Sequence, residues 1–158
     1  MKKLFRNALL TKNYAKIVSS KNLTIFLILI ITVSFFPAFA LTELERVSIE
    51  NPIVVNAFGV PLGNNVNVDQ QIQISADITN NQKISQTFIY LVQIKNEENF
   101  VVSVGWISGQ LTPNQKLNPS LSWTPIQPGE FTAEIFVWEG LRNHNALSEY
   151  SMLQISVS

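Results

Sequence analysis

Beyond Leu41 the apolar residues alternate with polar ones. Between Gln71 and Thr79, Ile72, Ile74, Ala76 and Ile78 are interleaved with Gln71, Gln73, Ser75, Asp77 and Thr79. A period of two predicts a strand with one wet face. Thr87 to Lys95 follows, with Phe88, Tyr90, Val92 and Ile94 on one face and Ile89, Leu91, Gln93 and Lys95 on the other. Its second face is partly apolar, so it is expected to be a central strand covered on both sides. Phe100, Val102, Val104 and Trp106 give a third strand, and Phe131, Ala133, Ile135 and Val137 a further one alternating with Thr132, Glu134, Phe136 and Trp138. Within Leu147 to Val157, Tyr150, Met152 and Gln154 share one parity and Leu153, Ile155 and Val157 the other.

Turn residues divide these runs. Asn80-Asn81-Gln82 turns the chain, Lys95 to Asn99 is a polar connection, and Thr124-Pro125-Ile126-Gln127-Pro128-Gly129 holds the strongest turn signal, since Pro-Gly supplies a fixed φ followed by a positive one. About seven strands at roughly ten-residue spacing, with no amphipathic helix between them, predict an all-β, immunoglobulin-like Greek-key sandwich. The sandwich is expected over residues 53–158, with 42–52 a short stalk whose charged part, residues 43–50, reads either as stalk or as a short entry strand.

Before this alternation lies a different pattern. Leu23 to Leu41 contains no charged residue, whereas residues 1–22 carry six cations and no acid. Cations beside an apolar run place the basic end in the cytoplasm and everything after Leu41 outside. As a signal peptide, the run has a Leu/Ile-rich centre and a small-residue site, Ala38-Phe39-Ala40, with cleavage after Ala40. As a retained transmembrane helix, it matches the ~20 residues that cross a bilayer. Both readings export the domain, and they stay open here.

Charge and cysteine content narrow the function classes. The formal net charge is zero, but residues 41–158 hold eleven acids against five bases, a net of −6. That balance lacks the basic footprint of a nucleic-acid binder. There is no cysteine, which excludes disulfides, thiolate metal sites and a cysteine nucleophile. A cysteine-free exported domain fits a prokaryotic surface better than an animal secreted one.

The segment Leu121 to Phe131, LSWTPIQPGEF, resembles the penultimate hairpin of immunoglobulin-like and fibronectin type III-like surface modules. The match is best to the cell-adhesion-related (CARDB-type) domains of archaeal and bacterial surface proteins. The marks are Trp123-Thr124-Pro125, then Pro128-Gly129, then the alternation from Phe131 to Trp138, and the likeness covers about the last two-thirds of the domain. The resemblance implies a small exported prokaryotic protein, of archaeal type, whose β-sandwich serves adhesion or envelope assembly without catalysis. Phe131 stands where many relatives place a tyrosine, so any corner hydrogen bond from that hydroxyl is absent.

Candidate chemistry is sparse. His144 is the one histidine, and no serine sits in a G-x-S-x-G elbow that could use it. Glu97 and Glu98 are adjacent and diverge, and Asp69 and Asp77 stand singly without a D-x-D-x-D calcium loop. No catalytic residue, metal ligand or cofactor site is therefore expected. The tryptophans say more. Trp106 and Trp123 share parity with their strands' inward residues and are expected in the core. Phe136 and Trp138 have the opposite parity to Phe131, Ala133, Ile135 and Val137, and are expected to face outward, either as an apolar contact patch or covered by a loop or the N-terminal stalk. The sequence thus predicts a non-enzymatic exported surface protein that acts through contact with an unknown protein or envelope component. The alternative is a membrane-anchored structural subunit, pilin-like or surface-layer-associated, that keeps its N-terminal helix.

Overall fold

The computed structural model describes residues Leu41–Ser158. The predicted helix of the apolar run and its cleavage site, up to Ala40, lie outside the described residues. Among those described, no helix is long and apolar enough to cross a membrane.

Among the described residues, nine strands follow a short 3-10 turn at Glu43–Glu45: β1 (Val47–Val55), β2 (Asn65–Val66), β3 (Ile72–Asn80), β4 (Gln86–Asn96), β5 (Val101–Leu111), β6 (Lys116–Leu117), β7 (Ser120–Trp123), β8 (Gly129–Trp138) and β9 (Ser151–Val157). Seven of these have four residues or more. They form two sheets. In the first, β3 is flanked by β1 on one side and by β6 and β7 in succession on the other. The second has the order β2-β9-β8-β4-β5. This is the expected all-β sandwich.

The core lies between the sheets and is filled by the predicted inward sets. Ile72, Ile74, Ala76 and Ile78 come from β3, Phe88, Tyr90, Val92 and Ile94 from β4, and Phe131, Ala133, Ile135 and Val137 from β8. Leu153, Ile155 and Val157 of β9 join them. The Tyr90 hydroxyl reaches across the sandwich and donates to the Ile74 carbonyl at 3.3 Å. Its burial pushes the phenol's pKa well above the usual value.

Three features depart from the sequence expectation. The segment 42–52, expected as a stalk, is already part of the sandwich from Val47, which is buried and paired with Asn80. Strand β1 passes through Asn51-Pro52 by a bulge: Glu50 faces Asp77 and Ile53 faces Ser75, so two residues oppose one. Asn51 takes a left-handed φ of 51° there, a conformation that asparagine tolerates better than most residues. Second, Thr124 to Pro128 does not close a hairpin. It carries the chain from β7 in the first sheet to β8 in the second, with Gly129 at φ 143°. Across this passage Trp123 and Phe131 meet edge to face, 5.1 Å between centroids.

The third departure concerns β5, the edge strand of the second sheet. Its inward parity belongs to Gly105, Ile107 and Gly109, which pair with Val92, Tyr90 and Phe88 of β4. A side chain at Gly109 would begin about 3.0 Å from the Phe88 ring, so the ring occupies that place. Trp106 is consequently on the outside, 50% exposed, and its expected place in the core is wrong. The expectation that Phe100, Val102, Val104 and Trp106 share a face also fails. Lys95 pairs with Val101 and Ile94 with Ser103, so Val102 is the extra residue of a bulge and parity inverts across it.

Candidate contact surface

The outer face of the second sheet is built by β9, β8, β4 and β5, and the antiparallel registers fix which residues lie side by side. Leu91 pairs with Trp106 on one side and Phe136 on the other. Phe136 in turn stacks on Tyr150, 5.6 Å between centroids and 25° between planes. Tyr150, Phe136, Leu91 and Trp106 therefore form one row across the sheet. Residues two positions along make the next row on one side, Ile89 paired with Trp138. Trp138 lies 5.7 Å from Phe136 and meets His144 of the following loop edge-on at 6.0 Å. On the other side comes a mixed row of Met152, Glu134, Gln93 and Val104.

Burial shows that this row acts as a lid. Ile89 and Leu91 point away from the core cluster yet are only 5% and 8% exposed. Their aromatic neighbours cover them, as the partly apolar second face of β4 predicted. The covering rings are left wet: Phe136 and Trp138 are half-buried, and Trp106 and Tyr150 are about half exposed. Phe136 and Trp138 do face outward. The larger row around them was missed, because it depends on the parity of Trp106 and on the β8–β9 register that brings Tyr150 to Phe136.

Polar groups border the row and are occupied by one another. Glu134 accepts from Gln93 Nε2 at 2.9 Å and from Lys95 Nζ at 2.8 Å. In the loop after β8, Glu139 accepts from the side-chain amides of Asn143 at 2.7 Å and Asn145 at 3.1 Å.

The opposite outer face, on the first sheet, has another character. Asp77 accepts from Asn51 Nδ2 and Asn118 Nδ2 at 2.9 Å each, and from Lys116 Nζ at 2.9 Å. These donors, the Asn51 amide first and then Lys116 and Asn118, hold the carboxyl down at a pKa of about 2. Ser75 and the Gln73–Ser120 pair extend the network to the Asn118-Pro119 break between β6 and β7. Asp77 is therefore a structural tie rather than a lone solvated charge.

At one end of the sandwich, a notch of about 430 Å³ opens between Val102, Trp123, Ile126 and Phe131. Its lining residues carry no titratable side chain. Among the described residues, no three of His, Asp and Glu gather as a metal site would require.

No protein-family model matches the chain, and no curated protein matches it. Its fold is shared with solved structures. The CARDB domain of a Pyrococcus furiosus protein, in complex with di-metal ions, superposes with a TM-score of 0.50 at 17% identity, over 75% of this chain and 97% of that domain. The C-terminal domain of Wzt gives 0.56 at 11% identity, over 78% and 80%. A cycloisomaltooligosaccharide glucanotransferase of Paenibacillus sp., complexed with cycloisomaltoheptaose, gives 0.56 at 18% identity over 70% of this chain. The chain spans 14% of that enzyme's length. Identities this low carry the fold alone, here an immunoglobulin-like β-sandwich.

Proposed function

We propose that this chain is a non-enzymatic exported protein whose immunoglobulin-like, Greek-key module works at the cell surface by contact through the outer face of its second sheet. The observation that carries this reading is the aromatic row over Leu91, in which Tyr150 and Trp106 stay about half exposed beside the half-buried Phe136. Aromatic rings that cover a sheet and stay wet offer apolar area that a partner can desolvate. Export is supported by the six cations followed by the uncharged run Leu23–Leu41. The non-enzymatic reading is supported by the ionisable groups beside the row, which are engaged with each other rather than convergent on a reacting atom. The di-metal ions of the Pyrococcus domain are not carried over, because no three of His, Asp and Glu gather among the described residues of this chain.

Two measurements test this. Mass spectrometry of the N-terminal peptide is expected to read Leu41 if the run is removed, or Met1 with the chain in the membrane fraction if it anchors a structural subunit. Recovery of the chain in the soluble cytoplasm would end the export reading. A photo-crosslinking residue at Trp106 is expected to capture an envelope component, and one at Thr79 on the first sheet is not. Equal capture from both positions would remove the contact face.

A further inference from the structure

We propose that the aromatic row is a stacking platform for an uncharged glycan chain; this rests on the surface-contact reading above and names its partner.

Three observations select this ligand. The first is area. Four strands about 4.8 Å apart and three side-chain rows about 7 Å apart make a patch of roughly 200–300 Å². A stable protein pair needs about 800 Å² from each partner, so the row is too small for a second copy or a tight protein partner. It suits one to a few sugar rings.

The second is charge. The Lys95–Glu134 pair beside the row is neutralised at 2.8 Å, while residues 41–158 carry −6 overall. A neutral patch on an acidic domain disfavours acidic polymers and anionic lipid surfaces. The third is the chemistry of the two adjacent rows. Sugar rings present C–H groups on their faces and hydroxyls around their rims. Aromatic faces carry negative quadrupole density that attracts such C–H groups. Trp106 and Tyr150, each about half exposed, supply the rings, with Phe136 stacked against Tyr150 between them, and Gln93 and Glu134 stand in the next row along. Apolar stacking with a few fixed polar groups beside it orients a small ligand.

The test is native affinity electrophoresis of the full chain in a polyoxyethylene detergent, chosen because it has no sugar headgroup. The gels contain dextran, laminarin or galactomannan as neutral polymers, or alginate as an acidic one. Retardation by at least one neutral polymer is expected and none by alginate. Trp106→Ala and Tyr150→Ala each change a half-exposed ring and are expected to weaken retardation at least tenfold, whereas Trp106→Phe keeps most of it. Should Trp106→Ala fail to fold, Tyr150→Ala and Trp106→Phe decide.

No retardation by any neutral polymer, retardation by alginate alone, or unchanged retardation of the alanine variants overturns the proposal. A second arm uses envelope fragments of the source cell before and after protease treatment. Binding abolished by protease sinks the glycan and keeps the surface reading. Binding to neither preparation sinks both.

Discussion

The two outer faces of the sandwich solve the same problem in opposite ways. On the first sheet, Asp77 gathers Asn51, Asn118 and Lys116 at 2.9 Å each, so its polar groups are satisfied within the protein. On the second, Leu91 and Ile89 are kept dry by rings that are themselves partly in water, Trp106 and Tyr150 most of all. The first face is closed in bonding terms and has little left to offer a ligand. The second retains apolar area that only another molecule can remove from water. A sheet face held by hydrogen bonds is finished by folding, whereas one held by a lid of aromatics is finished by binding.

Substitutions can break this contrast. The largest effect is expected at Leu91, where Leu91→Ala removes a buried side chain from beneath the aromatic row and should destabilise the domain by about 2–4 kcal/mol in denaturant unfolding. A loss below about 1 kcal/mol would mean that the rings do not cover it. Next comes Asp77→Asn, expected to cost about 1–2 kcal/mol at pH 7 after allowance for the partial exposure of its ion pair. Its folded pKa of about 2 lies below the unfolded value near 4. The stabilisation is therefore complete above about pH 4 and fades as pH falls towards 2. Unfolding of wild type and variant across that range should show the gap closing, and a gap constant with pH would deny the carboxylate its role.

A smaller loss, about 1 kcal/mol, is expected for Trp106→Ser, because half of that ring is already in water. The same change should remove most of the iodide-quenchable tryptophan emission, while Trp123→Phe leaves it in place. The reverse result would return Trp106 to the interior. Smallest is Glu134→Gln, at about 0.5 kcal/mol, since it weakens one partly exposed ion pair with Lys95. A cost equal to that of Asp77→Asn would erase the difference between a bordering pair and a structural knot.

Periodicity carried the sequence reading far where one face was wet. The inward sets of β3, β4, β8 and β9 and the outward parity of Phe136 and Trp138 were legible because alternation in a strand maps directly onto faces. Trp106 was not. On β5 the apolar parity from Val104 to Trp106 points outward and glycines take two of the three inward places, flanking Ile107, so the usual rule that apolar means inside selects the wrong face. The bulge at Val102 then breaks the phase within a single strand. Proline misled in a different manner. Pro52 ends the segment expected as a stalk, but with Asn51 left-handed the pair is absorbed in a bulge and β1 continues. The passage from Trp123 to Gly129 has the residues of a turn, and turn chemistry does not state which sheet the chain enters next. The aromatic row was hidden for the deepest reason, since it is a property of register between strands far apart in sequence.

Strand β5 has one further consequence. Val101 to Leu111 contains no charged residue and no proline, and among the described residues it ends its sheet with one side of its backbone unpaired. Exposed edges are commonly guarded by lysine, proline or a covering loop; here one bulge near Val102 is the guard. The remaining strand is a template for edge-to-edge growth, so the protein's colloidal stability is set separately from its melting temperature. Light scattering against concentration should rise well below the unfolding transition, and Ser108→Lys, which leaves the core untouched, should suppress it.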